Sequence, residues 1–332
     1  MSKFTIKYTD TITLENLLVV WREFLRGKRN RRDVADFEVR LIHHLSLLQE
    51  NLAERTYQHG PYIRFGLSDP KPRLIHKASV RDRVVHHLLY RMLYAYFDAR
   101  FVHDSYSCRI DKGTHKALNR FKDFSRAASQ NYTSTAWVLK CDVRKFFANI
   151  DHFVLKDILY QHIDSPETFL LLENVIDSFS TEGKRGVGLP LGNLTSQLFV
   201  NVYMNEFDQF VKHALKVKYY IRYADDFVFL SRDRKYLVSL LSQIETFLKD
   251  RLHLELHPDK VSIETIASGV DFLGWVHFPQ HRVLRTVAKR RMFRGLREDS
   301  KESRVLSYLG MLSHGNAYRL SQKVIESNSS TR

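Results

Sequence analysis

Apolar residues along the chain switch repeatedly between helical and strand spacing. After Thr13, a plausible N-cap, Leu14, Leu17, Leu18, Trp21, Phe24 and Leu25 recur three and four apart and predict an amphipathic helix. Phe37, Leu41, Leu45, Leu48 and Leu52 form a second stripe, separated from the first by the basic loop Gly27 to Arg32. Strands are expected at Tyr62 to Leu67 and Arg73 to Ile75, on either side of S-D-P-K-P-R, whose two prolines stiffen the connection. Val80, Val84, Val85, Leu88, Leu89, Met92 and Leu93 mark another helix, and Gly113-Thr114 opens the next one. Trp137 to Val143 is a strand that runs almost wholly apolar into Asp142. Helices at about Phe153 to Ile163 and Glu167 to Phe179 precede the glycine-rich stretch 183–192, and a long helix starts near Thr195. A helix from about Lys235 to Leu252, strands around Val261 to Ile266 and Val270 to Phe278, and a basic helical end at 286–324 complete the chain. There is no internal repeat or low-complexity linker, so the subdomains are expected to be interwoven in one compact body.

The most informative stretch is Lys218 to Ser231, K-Y-Y-I-R-Y-A-D-D-F-V-F-L-S. Two β-rich arms, Tyr219 to Tyr223 and Phe227 to Leu230, flank an Ala-Asp-Asp step and predict a hairpin with Asp225 and Asp226 at its tip. A carboxylate in so apolar a strand is costly unless a cation or donor offsets it. A solvated turn is the plain alternative, because Asp is common there. Side chains alternate along a strand, which ranks Asp225 as the metal ligand and Asp226 as its support.

Charge changes this picture. Against 37 acidic residues stand 52 basic ones, a formal net charge of +15, which favours a polyanionic partner such as nucleic acid. With 44% hydrophobic and 27% charged residues the composition is that of a globular protein. No run of about 18 apolar residues spans a bilayer, and the N-terminus lacks a signal-peptide core. Two cysteines, Cys108 and Cys141, are too few for a disulfide scaffold and fit a reducing cytoplasm. The expectation is a cytoplasmic protein with no membrane partner.

Asp142 and the Asp225-Asp226 pair each end or tip an apolar strand. Carboxylates on adjacent strands suit a pair of Mg²⁺ ions, which take few protein ligands and complete their shells with water and phosphate. A turn-capping role for Asp142 is the alternative. Three features suit phosphate: Lys71 and Arg73 on the stiff loop, the backbone N–H groups of Val143, Arg144, Lys145, Phe146 and Phe147, and the Gly188 to Gln197 stretch. No G-x-x-x-x-G-K-[ST] occurs, so a P-loop is excluded.

In this order D-V-R-K-F-F, G-L-P-L-G-N-L-T-S-Q, Y-A-D-D, H-P-D-K and F-L-G-W resemble the palm motifs of reverse transcriptases. The upstream K-P-R-L-I, R-D-R-V-V and S-Y-S-C-R-I-D-K-G-T-H resemble that family's fingers motifs, and together the set covers about Tyr62 to Phe278. The resemblance implies an α+β right-hand polymerase fold. Its expected domains are an N-terminal extension and fingers at 1–135, a palm of antiparallel sheet backed by helices at 136–280 with a fingers insertion at about 153–187, and a short helical thumb at 281–332. It implies an RNA-directed DNA polymerase working on template RNA, an RNA/DNA hybrid and dNTPs, with two Mg²⁺ ions that Mn²⁺ can replace in vitro. Asp142, Asp225 and Asp226 match the catalytic aspartates, and the Val143 carbonyl a further metal ligand. Lys71 and Arg73 match the triphosphate grip, and Arg144, Lys145, Leu191, Gly192, Ser196 and Gln197 the rest of the nucleotide site. Phe147 matches the aromatic gate against a ribonucleotide 2′-OH, with core packing as its alternative. Lys260 matches a lysine that protonates the leaving pyrophosphate, with a surface lysine as its alternative. Phe272, Leu273, Gly274 and Trp275 match the primer grip.

Many reverse transcriptases carry Gln-Gly and then Ser-Pro where this chain has Leu191-Gly192 and Ser196-Gln197. That form resembles the enzymes of diversity-generating retroelements of bacteria and phages. It implies error-prone copying opposite adenine and a small basic accessory variability protein as partner. Leu191 and Gln197 are the candidate infidelity determinants, since losing a Gln beside the templating pair removes a polar contact. The stretch after Trp275 is too short for an RNase H, endonuclease or maturase domain, so template removal is expected to come from elsewhere. Competing readings are a retron or antiphage-defence reverse transcriptase and a catalytically silent RNA-binding scaffold.

Overall fold

The computed structural model describes residues 3–68, 72–298 and 301–329. The chain falls into two compact units, each assembled from three separated segments.

The first unit comprises Met1–His103, Val143–Ala214 and Ile244–Leu256. It opens with α1 (Tyr8–Thr11), α2 (Leu14–Phe24), α3 (Arg32–Val39) and α4 (Leu41–Ala53). Thr13 caps α2 by accepting from the Asn16 N–H at 3.3 Å. The single helix expected over Phe37 to Leu52 is broken at Arg40, whose φ of −120° and ψ of 37° separate α3 from α4. The break lets Val34 and the row Leu45, Leu48 and Leu52 both be buried while Val39 stays exposed, so packing overrides the straight stripe. An antiparallel ribbon follows, β1 (Ile63–Leu67) with β2 (Arg73–Lys77), pairing Ile63 with Lys77 at its open end and Leu67 with Arg73 where the chain connects the two strands. Lys71 lies outside the described residues. Helix α5 (Val80–Asp98) packs against α9 (Leu194–Gln209), and α7 (His152–His162) and α8 (Pro166–Asp177) complete the helical body.

The second unit comprises Asp104–Asp142, Leu215–Gln243 and His257–Arg332. Its centre is a four-stranded antiparallel sheet in the order β4-β5-β3-β6, built from β3 (Trp137–Asp142), β4 (Tyr220–Tyr223), β5 (Asp226–Ser231) and β6 (Ser262–Thr265). Helix α6 (Thr114–Ala128) packs on β4 and β5. Val138, Ile221, Val228 and Leu230 meet Phe121 and Phe124 of that helix in one core. Helix α10 (Arg234–Leu252) follows the hairpin and runs from the second unit into the first. A second sheet, β7 (Val270–Phe272), β8 (Trp275–His277) and β9 (Arg282–Leu284), leads to α11 (Thr286–Glu298), α12 (Glu302–Leu312) and α13 (Tyr318–Ser329).

The hairpin differs from its expected form in one respect. Tyr223 pairs with Asp226, so the turn is Ala224-Asp225 alone and Asp226 is the first residue of β5. Ala224 takes the left-handed conformation, φ 57°, where glycine is the usual choice. The sheet behind it is close-packed: Phe229 is fully buried, faces Leu139 on β3, and stacks on Tyr220 with ring centroids 5.1 Å apart. Phe229→Ala is expected to cost about 3–5 kcal/mol, measured as a lowered urea midpoint.

Candidate active site

The β3–β5 register places Asp142 directly opposite Asp226. Directly opposed residues share a face and lie close together, so the two carboxylates are cross-strand neighbours. Asp225 sits beside them in the turn. The tight turn makes Asp226 the first strand position, so Asp226 is the acid paired across the sheet with Asp142 and Asp225 lies in the turn.

Burial raises the Asp226 pKa first, and the charges of Asp142, Asp225 and Asp271 raise it further, to about 7, against the lowering influence of Lys140. Its Oδ1 is buried without a hydrogen-bond partner. A buried acceptor-only oxygen beside a second carboxylate is the donor type that a hard divalent cation takes. Among the described residues no three His, Cys, Asp or Glu side chains converge as a complete metal cage. What fits a divalent cation here is the opposed pair itself, with the unpartnered Asp226 Oδ1 as a hard oxygen donor.

Lys260 reaches the Asp142 member of the pair. Its Nζ lies 2.6 Å from Asp142 Oδ1. The H-P-D-K segment is held there by the backbone, with the His257 N–H donating to the Asp142 carbonyl at 2.7 Å and the Lys260 N–H to the His257 carbonyl at 3.0 Å.

Three residues that sequence reasoning passed over brace this cluster. Lys140, two positions before Asp142 on β3, donates to the Asp271 carbonyl at 2.6 Å. Arg285 pairs with the Asp271 carboxylate at 2.7 Å, and its N–H donates to the Gly274 carbonyl at 3.1 Å. Arg222 on β4 is fully buried and donates to the Ala224 carbonyl at 3.1 Å, fixing the turn from behind. The available signal was a lone cation inside each apolar run, W-V-L-K-C-D and Y-I-R-Y.

In the F-L-G-W turn, Leu273 and Gly274 both have positive φ, 50° and 84°, as a two-residue hairpin requires. Phe272 and Trp275 pair across it and are buried, Phe272 stacking on Phe121 at 5.3 Å. Only Leu273-Gly274 is presented.

The remaining candidates lie in the first unit. Lys145 has φ 46° and opens the 3₁₀ turn Phe146–Asn149, with Phe146 buried and Phe147 half-buried. The Leu189 N–H donates to the Phe147 carbonyl at 2.7 Å, tying the gate candidate to the glycine-rich stretch. Arg144 is exposed and 3.7 Å from Glu255, and Val143 is buried. The His76 N–H donates to the Leu191 carbonyl at 3.0 Å, and Asn193 Nδ2 donates to the His76 carbonyl at 2.9 Å. The segment from Leu191 is thus fastened to β2, the strand that carries Arg73. A Cβ on Gly192, φ 106°, would stand 2.8 Å from Ile75 Cγ2, so only glycine fits. Ser196 is buried in the first turn of α9, while Gln197 is half-buried.

The sequence pattern described as reverse transcriptase (RNA-dependent DNA polymerase) matches residues 68–277. The chain belongs to the reverse transcriptase family. By class it is an RNA-directed DNA polymerase. Among its relatives is Protein YkfC of Escherichia coli K12, 25% identical over 286 residues, spanning 75% of this chain and 73% of that one. The group II intron-encoded protein LtrA of Lactococcus lactis subsp. cremoris is 21% identical over 295 residues, and the match covers 68% of this chain but 48% of LtrA. The structure of apo telomerase from Candida tropicalis truncated from the C-terminal domain shares the fold, with a TM-score of 0.52 and 12% identity over 69% of this chain and 55% of that one. No described helix of this reverse transcriptase is long and apolar enough to cross a membrane.

The Asp226 carboxylate is a cost carried by the fold. Asp226→Asn is expected to raise the melting temperature in metal-free buffer, by the equivalent of about 1–2 kcal/mol, because it removes a charge that burial and the neighbouring carboxylates disfavour. Differential scanning calorimetry checks this.

Proposed function

We propose that this reverse transcriptase extends a DNA primer on an RNA template by two-metal nucleotidyl transfer with Mg²⁺, and that it copies with low fidelity, as diversity-generating retroelement enzymes do. The observation that carries the first part is the opposed pair Asp142 and Asp226, with an unpartnered buried oxygen on Asp226. Divalent cations, when bound, lower the pKa of an attacking 3′-hydroxyl and neutralise charge on the leaving pyrophosphate.

The chain's own residues have the following parts in this reading. Asp142, Asp226 and the turn residue Asp225 supply hard oxygen ligands, with the Val143 carbonyl added. Lys260 holds a proton on Nζ and, released from Asp142, delivers it to the pyrophosphate oxygen. Lys71 and Arg73 grip the triphosphate, supported by Arg144 and Lys145. Phe147 lies under the sugar and excludes a 2′-OH. Gly192, Ser196 and Gln197 shape the nucleotide site, Ser196 from within α9. Leu273-Gly274 guides the primer, while Phe272 and Trp275 hold that turn in place.

The low-fidelity part rests on Leu191 and Gln197, which stand where many relatives carry other residues. The template RNA, the dNTPs, a small basic accessory protein and a cytoplasmic setting belong to the same reading. The intron-encoded relative LtrA favours a second reading, a group II intron-like enzyme of ordinary fidelity.

On a primed RNA template with Mg²⁺, the wild type should make cDNA, and Asp225→Ala plus Asp226→Ala should lower the rate at least about a hundredfold. Equal rates would remove the catalytic assignment. Sequencing the products then separates the two readings of fidelity. Leu191→Gln is expected to reduce misincorporation opposite adenine several-fold, and an unchanged error spectrum would favour the second.

A further inference from the structure

Helices α7 and α8 of the first unit carry an outward face that no role described above uses. They form an antiparallel pair joined by the three residues 163–165. The Tyr160 and Phe169 rings meet edge-on at 5.4 Å, and a turn further along Lys156 lies 3.5 Å from Glu173 and 2.6 Å from Asp177. A groove of about 630 Å³ runs over this face, lined by Phe153, Asp157 and Tyr160 from α7 and by Phe169, Glu173 and Asp177 from α8. Large apolar side chains stand in the open there: Phe153 is 79% exposed and Tyr160 65%. On α7, Phe153, Asp157 and Tyr160 follow the spacing of one helical stripe, opposite the buried row Leu155, Ile158 and Leu159.

The charge of this face is the reverse of the chain's. From Asp151 to Asp177 there are six carboxylates and one lysine, a formal charge of −5 in a chain of +15. Lys156 is occupied by Glu173 and Asp177, and Arg185 is the other cation on the groove. Among the described residues no cation pairs with Asp157, whose carboxylate accepts from Gln161 Nε2 at 3.0 Å. A nucleic acid or an anionic lipid surface is repelled by such a face. A purely apolar partner would strip water from the acids without pairing them. What fits is a polypeptide that carries apolar side chains and cations together.

We propose that the α7–α8 groove docks a basic amphipathic helix of a partner protein. Two packed helices leave a furrow that a third helix fills, with its apolar anchors at helical spacing. Those anchors cover Phe153 and Tyr160, while Lys or Arg side chains on the flanks pair with Asp157 and Glu173. Opposed charge decides which segment is accepted, and the covered aromatic residues supply most of the affinity. This surface is separate from the acids on β3 and β5, which belong to the second unit.

Fluorescence anisotropy of the full chain with labelled peptides tests this. One peptide has leucines at helical spacing and arginines elsewhere. A second replaces the arginines with glutamates, and a third replaces the leucines with serines. The arginine–leucine peptide should bind, with both others at least about tenfold weaker. Phe153→Ser plus Tyr160→Ser, and separately Asp157→Lys, should each weaken it about tenfold while leaving Tm unchanged, because all three side chains are exposed. If one variant is destabilised, the other decides. No binding of the first peptide, equal binding of either control, or full binding in both variants would overturn the proposal. So would self-association of the chain alone, seen by sedimentation velocity and abolished by Asp157→Lys, since a second copy would then be the occupant.

Discussion

The register between β3 and β5 is the constraint on which the second unit depends. It pairs six residues of an apolar strand with six of another, and its last rung is Asp142 against Asp226. A slip of one residue would turn every side chain of β5 to the opposite face and separate the two acids. The apolar rungs, Val138 with Leu230 and Leu139 with Phe229, therefore fix the position of the charged one. Burying that rung is unfavourable, and the Asp226 pKa near 7 reflects the cost. Folding of the hydrophobic strands supplies the energy that holds a costly pair of acids in place.

Cations set around the pair limit that cost without cancelling it. Lys260 neutralises Asp142 directly, whereas Lys140 and Arg285 are turned toward Asp271. Arg222 grips the Ala224 carbonyl, which keeps a non-glycine residue in a left-handed turn. Each bond is local to the second unit. Asp226 Oδ1 is left without a partner, as a site awaiting a cation would be.

Much of this was legible in the sequence. Runs of apolar, β-branched and aromatic residues located β3, β4 and β5, and the ordered motifs located the acids on them. The place of Asp226 as the first strand residue was not legible, because it turns on whether the hairpin turn holds two residues or three. Alanine at φ 57° gives no compositional sign of so tight a turn. The break at Arg40 was hidden for a similar reason, since the stripe from Phe37 to Leu52 continues through it. Lys140 read as an ordinary charge until its partner Asp271, remote in sequence, was in place, and Arg222 until the neighbouring turn it holds was folded.

Direct ion binding tests the central claim that Asp142 and Asp226 form one cation site. Mn²⁺ titrated into the full chain can be followed by electron paramagnetic resonance, with wild type beside Asp142→Asn and Asp226→Asn. The account predicts that the wild type takes up Mn²⁺ and that either single substitution abolishes the tightest binding event. Undiminished Mn²⁺ binding in both variants would contradict it.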